Sequence, residues 1–430
     1  MSEATPVEQT WFGQPRGLTI LFLTNMWEQF SYYGMRALLV YYMTKELLFD
    51  QGWSSFVYGA YTGCAYFTPI LGGILADRYL GRRRAILIGG SIMAAGHFMM
   101  AFEPMLYVAL ATIAIGNGLF LPSLPSQIDS LYSAGDPRRG WAYNVYYVGV
   151  NVGGFLAPII CGTLGETLGW HWGFGAAGIG MVAGLIVYVW GQRYLPPEVS
   201  VARAGVDRTR TQSRFDRRMV TALAAVALAV TVFRGAYEQV GNTVALWTDT
   251  GVDRRLGDWD IPMTWFQSLN PLFVMLLTPL LLAWWRRRSE RGLVQSSVRR
   301  MAIGALIVAG AFALLAILSA VAGGGVGWPW LVLFFMALTL GELFILPTGL
   351  GLFARLAPPG HGATTVAAWF LAIFTGSLTA GLVGTLWSHM TPAAYFGLLA
   401  AIAVTAGLLL RSLDGFVTDV ELDRDRPETL

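Results

Sequence analysis

The feature that most constrains this chain is a series of long apolar segments that recur along nearly its whole length. Apolar residues make up 55% of the 430 positions and charged residues only 13%, with a mean hydropathy of +0.54. A helix of roughly 20 apolar residues crosses a hydrocarbon core of about 30 Å. The sequence therefore predicts an all-α integral membrane protein with twelve transmembrane helices. The predicted spans are 17–44, 54–76, 84–102, 104–131, 142–165, 173–195, 218–248, 262–285, 299–320, 329–355, 363–386 and 392–411.

Arginine clusters in alternate loops predict the orientation of these spans. The positive-inside rule places loops rich in Lys and Arg in the cytoplasm. We therefore expect a multi-pass protein of the cell (inner) membrane with both termini on the cytoplasmic side. The first dozen residues carry Glu3 and Glu8 and lack a basic region before an apolar core, so no cleavable signal peptide is expected. The clusters are Arg82 to Arg84, Arg138 and Arg139, Arg203 to Arg218, and Arg286 to Arg300.

The composition excludes several classes of function. The net charge of +3 comes from short loops, so a nucleic-acid partner is not expected. The loops show no nucleophile–base pair, phosphate-binding loop or metal-ligand cluster, so we expect neither an enzyme nor a bound cofactor or metal. Cys64 and Cys161 fall inside predicted spans and are interpreted as small apolar residues. The lipid bilayer is the expected partner, and the sequence leaves the oligomeric state open, a monomer being compatible with it.

Prolines interrupt several of the spans and indicate tilted and kinked helices, whose loosened backbone groups are tolerated where they line a cavity. Tilted and kinked helices of this kind are typical of transporters. The prolines concerned are Pro122, Pro125, Pro158, Pro271, Pro279 and Pro347.

The longest polar interval, 196–217, divides the chain into two halves. It contains two consecutive prolines and several arginines with almost no apolar periodicity, which predicts a flexible cytoplasmic linker. On this reading 1–195 is an N-terminal six-helix bundle, and 218–430 is a C-terminal six-helix bundle with a short tail. Six helices plus six resembles the major facilitator superfamily, in which the substrate binds near mid-membrane between the halves.

The loop after the second span, Gly73-Ile74-Leu75-Ala76-Asp77-Arg78-Tyr79-Leu80-Gly81-Arg82-Arg83-Arg84, strengthens this resemblance because it is similar to the signature loop of that superfamily. An arginine cluster alone is equally compatible with a topology anchor. A preceding glycine pair and an acid at the membrane edge favour the signature. The residues that carry it are Gly73, Asp77, Arg78, Gly81 and Arg82.

A polar patch interrupts the first span, Asn25-Met26-Trp27-Glu28-Gln29-Phe30-Ser31-Tyr32-Tyr33-Gly34. Charged side chains at mid-membrane cost about 2.5–3.5 kcal/mol on insertion scales, so they usually handle a substrate or a proton. The patch resembles the first-helix signature of the proton-dependent oligopeptide transporters, Glu-x-x-Glu-Arg-Phe-x-Tyr-Tyr-Gly. Two of the three charged residues of that signature are amides here.

Further segments resemble the signatures of this family in helices four, five, seven, eight, ten and eleven, in the family's order. The chain is therefore identified as an atypical member, and the resemblance implies a secondary active transporter of di-/tripeptides or peptide-like small molecules that works by alternating access. The segments are 116–123, 146–153, 236–239, 265–271, 341–344 and 369–370.

The resemblance also implies a substrate site. It places Glu342 at the peptide ammonium and Asn151 and Asn270 at the peptide backbone and amino end. Trp265 and Trp369 would wall a permissive side-chain pocket; the alternative for such tryptophans is an interfacial belt or helix packing. The other residues assigned to the substrate are Tyr32, Tyr33, Tyr66 and Gln29.

The chain departs from the family at the peptide carboxylate. Family members place an arginine from the first helix and a lysine from the fourth helix near it; the matching positions are Gln29 and Leu121. Neither side chain carries a charge, and the single lysine, Lys45, is predicted at the end of the first helix. An anion without a cation in a low-dielectric pocket is strongly disfavoured. Either the substrate lacks a free carboxylate there, or another group meets it.

Arg234 is the candidate for that other group. It stands where the family has an aromatic residue and lies four positions before Glu238, on the same face of a helix. Its alternative role is to neutralise Glu238. In the family the acid of helix seven forms an external gate with an arginine of helix one, which Arg36 matches. Glu238 thus has two candidate partners.

Proton coupling requires a group whose proton affinity changes between inward-facing and outward-facing states. Glu28 is the one acid left in the first-helix patch and has lost its neighbouring cation, which favours its protonated form. We predict coupling through Glu238 and Glu342, with the proton as the coupling ion. Two alternatives remain: a proton-independent facilitator or exporter of a modified peptide or other small molecule, and a membrane receptor that does not transport.

Overall fold

The computed structural model describes residues 10–11, 13–133, 136–197, 216–293, 295–322, 325–358 and 361–425. The described chain is nearly all helical. Twelve of its α-helices have 18 residues or more, and one, α8, is shorter. The helices are α1 (Arg16–Tyr41), α2 (Gln51–Leu75), α3 (Arg82–Met99), α4 (Leu106–Ser123), α5 (Arg139–Leu168), α6 (Trp170–Gly191), α7 (Arg217–Tyr237), α8 (Thr243–Thr250), α9 (Leu269–Glu290), α10 (Ser297–Val321), α11 (Trp328–Leu356), α12 (Gly362–Gly384) and α13 (Pro392–Asp425).

Each predicted span coincides with one long helix, with one addition in the seventh span. That span is broken after Tyr237 by a 3₁₀ turn, Glu238–Gly241, and continues as α8. Within the described residues, nine segments are long and apolar enough to cross a membrane, and these contain α4 to α13. The first three helices carry more polar side chains: α1 contains Glu28 and Arg36, and α3 begins with three arginines.

Short segments join the long helices. Two turns of π-helix extend α1 and α2, at Tyr42–Glu46 and Ala76–Leu80. The remaining 3₁₀ turns are Glu103–Met105, Pro125–Gln127, Asp129–Leu131, Gln192–Tyr194, Met263–Ser268 and Trp387–His389. Within the described residues, six two-residue strands form three pairs. These are β1 (Thr10–Trp11) with β2 (Gln14–Pro15), antiparallel; β3 (Val252–Asp253) with β6 (Val326–Gly327), parallel; and β4 (Arg255–Leu256) with β5 (Trp259–Asp260), antiparallel.

The prolines fall into two groups. Pro122, Pro158, Pro279 and Pro347 lie inside helices, as the kinked-helix prediction requires. Pro125 instead begins a 3₁₀ turn, and Pro271 lies in the first turn of α9, so neither interrupts a helix. A first turn tolerates proline because its backbone N–H groups have no partner within the helix.

Contacts divide the chain into two compact units. The described residues within Met1–Met35 and Thr68–Gly205 form the first, and those within Arg36–Phe67 and Val206–Leu430 form the second. The boundaries fall inside α1 and α2. Most of the predicted linker, including Arg203, lies outside the described residues, so the linker and the bundle boundaries stay predictions.

The first unit is built on close contacts between α3, α4, α5 and α6, with a core that includes Met93, Phe120 and Tyr188. The core of the second unit is larger. In it α10 packs against α11 and α13, and α7 packs against α12 and α13, around aromatic side chains such as Phe312, Phe334 and Tyr395.

The C-terminal end of α13 is polar and contacts the ends of other helices of the second unit. The Ser296 hydroxyl, which caps α10, donates to Asp414. Arg355, at the end of α11, pairs with Glu421 at 2.9 Å. Arg218, at the start of α7, pairs with Asp423 at 3.4 Å. The predicted span ended at residue 411 because the charged residues beyond it are not apolar, yet they continue the helix and link α7, α10 and α11 to it.

Glycines allow α2 and α4 to approach closely in the first unit. A Cβ added at Gly72 would lie 2.1 Å from the backbone oxygen of Gly118 and 2.8 Å from the backbone nitrogen of Leu119. The neighbouring Gly73 is different, because a Cβ there would meet only the side chain of Pro122 at 3.5 Å, an ordinary contact.

We expect Gly72→Ala to destabilise the protein because backbone atoms cannot yield to the added methyl group as a side chain would. Overpacking of this kind costs about 1–3 kcal/mol, whereas Gly73→Ala should be within about 0.5 kcal/mol of the parent. Thermal unfolding midpoints of the purified variants measure the difference. Equal midpoints for the two variants would show that α2 and α4 do not pack this closely.

Candidate functional site

A break in the seventh span positions the central acid of the second unit. α7 ends at Tyr237, and the 3₁₀ turn Glu238–Gly241 follows it directly. The side-chain amide of Gln239 supports the break by donating to the backbone oxygens of Gly235 at 3.2 Å and Ala380 at 2.7 Å. The amide oxygen of Asn242 accepts from Ser55 at 2.8 Å. Side-chain amides thus fix the turn that begins with Glu238.

Three ionisable side chains of the second unit form what we call the buried charge cluster: Arg36, Arg234 and Glu238. Arg36 Nη2 lies 2.6 Å from Glu238 Oε2. Arg234 Nη2 donates to the other oxygen, Glu238 Oε1, and lies 3.3 Å from the hydroxyl of Ser377. The side chains of Arg234 and Glu238 are each only 2% exposed, and that of Arg36 is 14% exposed. One carboxylate is therefore the shared counter-ion of two guanidinium groups, one of them fully buried.

Tyrosines surround the buried charge cluster. Arg36 Nε donates to the Tyr58 hydroxyl at 2.6 Å. The guanidinium carbon of Arg234 lies 5.3 Å from the ring centre of Tyr66 and 5.5 Å from that of Tyr237. Cation–π attraction of this kind strengthens when water is excluded. The rings therefore help to hold Arg234 in a buried position.

Arg234 also has an unused donor. Its Nε is buried and has no hydrogen-bond acceptor among the described residues. The side chain is accommodated by Gly376 on α12, where an added Cβ would lie 2.4 Å from the Cβ of Arg234. A buried donor without a partner costs about 1–3 kcal/mol. The guanidinium can therefore gain by meeting a further acceptor.

A second acid of this unit, Glu342 on α11, adjoins the buried charge cluster. Its Oε2 accepts from the Asn270 amide at 2.6 Å, and the same amide nitrogen lies 3.1 Å from the Thr339 hydroxyl. The Tyr237 hydroxyl also interacts with the Glu342 carboxyl group, and the charge of Arg234 acts on it. Amide and phenol groups, with no direct salt bridge among the described residues, thus hold this acid.

The polar patch of α1 in the first unit is held by amides. Gln29 Nε2 donates to Glu28 Oε2 at 2.7 Å, and Asn25 Nδ2 lies 3.3 Å from the backbone oxygen of Tyr146. Glu28 is 1% exposed and forms no salt bridge with a described residue. The tyrosines that follow, Tyr32 and Tyr33, pack edge to face with ring centres 5.4 Å apart.

Asn151, the other predicted substrate residue of the first unit, lies on α5. Its Nδ2 donates to the backbone oxygen of Tyr147 at 2.9 Å, one turn earlier in the same helix. Its side-chain oxygen is an acceptor. This bond within the helix fixes the orientation of the amide.

The signature loop of the first unit turns the chain from α2 to α3. Gly81 has a φ of 78°, a left-handed conformation that favours glycine, and caps α3. Arg82 Nη1 donates to the backbone oxygen of Ser126 at 2.8 Å. Asp77 and Arg78 lie in the π-helical turn and are exposed. The loop is thus joined to the segment after α4.

The two predicted pocket tryptophans have different surroundings. Trp265 lies in the 3₁₀ turn before α9 and packs edge to face on Trp259, with ring centres 5.4 Å apart. Trp369 is 2% exposed, packs 5.3 Å from the ring of Phe353, and fills the space left by Gly349. The packing alternative therefore describes the position of Trp369 in this structure.

The structure thus brings together Arg36, Arg234 and Glu238, with Tyr66 against Arg234, and pairs Asn270 with Glu342 and Gln29 with Glu28. The roles of these residues stay predictions. Sequence reasoning missed Tyr58, Tyr237, Thr339 and Ser377. Tyr237 directly precedes Glu238 in the recognised motif and could have been included, whereas no motif pointed to the other three.

Comparisons with known proteins point to one family. A model described as the POT family matches residues 83–204 and 198–399. The uncharacterized transporter YclF of Bacillus subtilis is 32% identical over 466 aligned positions, which cover 94% of each protein. The peptide transporter YePEPT of Yersinia enterocolitica is 32% identical over 461 positions, which cover 89% of this chain and 90% of YePEPT.

A solved structure resembles the whole chain as well. It is a mutant of a peptide transporter POT in complex with alafosfalin, which superposes with a TM-score of 0.86 at 30% identity. The match covers 96% of this chain and 97% of that chain.

Proposed function

Because this chain belongs to the POT family of membrane transporters, which have the major facilitator fold, we propose that it carries di- or tripeptides or peptide-like small molecules by alternating access. YePEPT is a peptide transporter, and the solved relative holds a peptide-like ligand, alafosfalin. The chain is a multi-pass membrane protein, which the proposal places in the cell (inner) membrane. The proposal keeps both termini in the cytoplasm, as the loop charges predict.

The observation that carries the mechanism is the shared carboxylate of the buried charge cluster. Glu238 accepts from Arg36 through one oxygen and from Arg234 through the other. A proton on Glu238 removes the charge that holds both guanidinium groups and so opens the gate that these side chains form. Release of the proton restores the pairs. Glu238 therefore couples proton binding to a conformational change, since protonation and pairing exclude each other.

Glu342 takes the second role in this proposal, as the acid that meets the peptide ammonium. Its carboxyl group is held by Asn270 and lies near Tyr237 rather than being bonded directly to a cation. An ammonium that enters can therefore supply the missing counter-charge. The proton that Glu342 carries before binding passes to Glu238 when the ammonium binds, so the proton stays on the protein and crosses with the substrate.

Arg234 takes the substrate carboxylate in the same scheme. In this structure its Nη2 pairs with Glu238 while its Nε lacks an acceptor. When Glu238 is protonated, the guanidinium is left with a free charge and a fork of donors that fits a carboxylate. Arg234 then supplies the positive charge that Gln29 and Leu121 do not. Arg234 thus pairs with Glu238 at one stage of the transport cycle and binds the substrate carboxylate at another.

A proton-independent facilitator or exporter is the second candidate. It is favoured by the first-helix patch, where Gln29 contacts Glu28 through an amide instead of the arginine of typical members. Without that cation, one site of proton exchange used by the family is absent, and a modified peptide without a free carboxylate becomes a suitable substrate.

Uptake by proteoliposomes under an imposed proton gradient tests the proposed function. With the membrane potential clamped, we expect labelled dipeptide to accumulate above equilibrium when the outside is acidic and only to equilibrate when the gradient is dissipated. A separately imposed inside-negative membrane potential should increase the driving force for uptake by about 2.3 kcal/mol per net positive charge moved per 100 mV. Equilibration under every gradient would establish the facilitator. Binding without counterflow would establish a receptor.

A further inference from the structure

A small cavity of about 260 Å³ lies where α9 ends and α10 begins, away from the buried charge cluster. We call it the arginine pocket. A water molecule occupies about 30 Å³ in the liquid, so the cavity has room for a group of several heavy atoms. The polar residues that line it are Trp285, Arg286, Arg288, Ser289, Gln295 and Arg300.

The arginine pocket offers hydrogen-bond donors without acceptors. Trp285 Nε1, Arg288 Nε and Arg300 Nε are all buried, and none has a hydrogen-bond partner among the described residues. Buried polar groups are normally paired, and an unpaired one is destabilising. Three such donors around one cavity indicate that an acceptor with several oxygens belongs there.

Aromatic rings hold the two inner arginines in place. The guanidinium carbon of Arg288 lies 5.1 Å from the ring centre of Trp284, and that of Arg300 lies 5.4 Å from the ring centre of Trp285. Stacking on tryptophan favours a fixed orientation of the guanidinium plane. The donors are thus arranged before any ligand arrives.

Two of the three arginines of the pocket have no salt-bridge partner among the described residues. Arg286 pairs with Glu290 at 3.1 Å, and both side chains are exposed. Arg288 and Arg300 form no salt bridge with a described residue. The nearby acid Glu421 is bonded to Arg355. An anion therefore finds two unpaired cations, and the planar forks of arginine suit phosphate oxygens.

The position of the pocket selects the source of that anion. It lies between two candidate spans, Met263–Glu290 and Ser297–Val321, and hence at an edge of the membrane. The first of these spans is the least buried of the nine, at 28%. Leu280 and Leu282 on α9 are 68% and 54% exposed just before the pocket begins. Acyl chains can cover this face while a headgroup enters the cavity.

We propose that the arginine pocket binds the phosphate group of an anionic phospholipid. A lipid headgroup and free phosphate both present a phosphate anion with several acceptor oxygens. The exposed leucines on α9 favour the lipid. Arg288, Arg300 and the Trp285 N–H bind the phosphate, and the acyl chains lie along α9. Basic pockets at the ends of transmembrane helices bind lipid headgroups in this way. The assignment is independent of the substrate and of its coupling ion.

Native mass spectrometry of the purified protein with added phosphatidylglycerol or phosphatidylcholine tests the proposal. The test variant is Arg288→Gln with Arg300→Gln. The matched control is Arg287→Gln with Arg299→Gln, which removes two charges from the same helix ends but from residues that do not line the pocket. We expect the test variant to lose at least about tenfold in phosphatidylglycerol affinity and the control less than about threefold.

Three results would overturn the proposal. One is an equal loss in the test and control variants, which would indicate a diffuse basic surface. Another is unchanged affinity in the test variant. The third is binding of phosphatidylcholine as tightly as phosphatidylglycerol. An arm with inorganic phosphate, read as protection against thermal unfolding, separates the sources: protection that the test variant loses, together with no preference for the lipid, would assign the pocket to free phosphate instead.

Discussion

Replacing Glu238 by glutamine is expected to abolish transport and to destabilise the protein by about 3–5 kcal/mol, the range observed when one partner of a buried ion pair is removed. Glutamine keeps the shape of the side chain and an oxygen acceptor but carries no charge. Arg234, which is 2% exposed, and Arg36, which is 14% exposed, would then face each other without their shared counter-ion. The variant thus leaves two cations in a low-dielectric site.

Because Arg36 and Arg234 share one carboxylate, the variants of this cluster should destabilise the protein in a definite order. Arg234→Gln leaves Glu238 paired with Arg36, so it should destabilise less than Glu238→Gln. Removing both members, with Arg234→Gln and Glu238→Gln together, leaves one cation in the cluster instead of two and should recover part of the lost stability. Unfolding midpoints of the three variants, with counterflow of a labelled peptide, measure these differences. A double variant less stable than Glu238→Gln alone would contradict the shared-carboxylate arrangement.

An exposed pair of the same geometry provides the control for this series. Arg286 and Glu290 are also four positions apart on a helix, but their side chains are 83% and 61% exposed. Exposed pairs of this spacing contribute about 0.3–0.5 kcal/mol. We therefore expect Glu290→Gln to unfold within a degree or two of the parent protein, roughly the shift that such an energy gives in a chain of this size.

The second large effect is expected from replacing Glu342 by glutamine. This variant should lose affinity for peptides while keeping its stability. Glutamine can still accept the hydrogen bond that Asn270 donates at 2.6 Å, so the local packing should be kept. The negative charge that we assign to the peptide ammonium is lost. A charge-assisted hydrogen bond of about 1.5–3 kcal/mol corresponds to a loss of roughly ten- to a hundredfold in affinity.

Paired ligands make this measurement specific. A dipeptide with a free amine should lose affinity for Glu342→Gln, whereas its N-acylated form should bind the parent and the variant equally weakly. Thr339→Val is a control that removes a hydrogen bond to Asn270 and leaves the Glu342 charge in place. Equal losses for both ligands would point to structural damage, and no loss for the free amine would refute the assignment of Glu342.

Much of the fold could be predicted because long, mainly apolar segments mark the helices, even where polar residues interrupt them, as in α1. The predicted spans coincide with the long helices, and the predicted family and major facilitator fold are confirmed. The prediction missed two features. It did not foresee the break at Glu238–Gly241, because side-chain amides that support such a turn leave no periodic signal. It also ended α13 at residue 411, since hydropathy cannot follow a helix into charged sequence.

The site was predictable where spacing or a motif placed two residues together. The distance of four positions predicted the pair of Arg234 with Glu238, and the family resemblance predicted Arg36 as the second partner. Contacts between remote segments were not predictable in the same way. Nothing near Tyr58 or Ser377 in the chain indicates that they contact these arginines, because tertiary packing alone brings them there.

The arginines at the end of α9 illustrate a different limit. From the sequence they are interpreted together as one basic cluster that orients the protein in the membrane. In the structure their surroundings differ. Arg286 pairs with Glu290 in solvent, whereas Arg288 and Arg300 stack on tryptophans beside a cavity. The exposed arginine and the two arginines beside the cavity differ in the burial of single nitrogen atoms, which cannot be predicted from the sequence.

The long C-terminal helix, α13, has a mechanical consequence. Its 34 residues extend about 51 Å, well beyond a hydrocarbon core of about 30 Å. The part beyond this thickness is tied to other helices. Asp414, Glu421 and Asp423 join it to the ends of α10, α11 and α7. Exposed ion pairs weaken as salt is added. The stiffness of this end of the unit should therefore vary with ionic strength, a property that helices held only by apolar packing would lack.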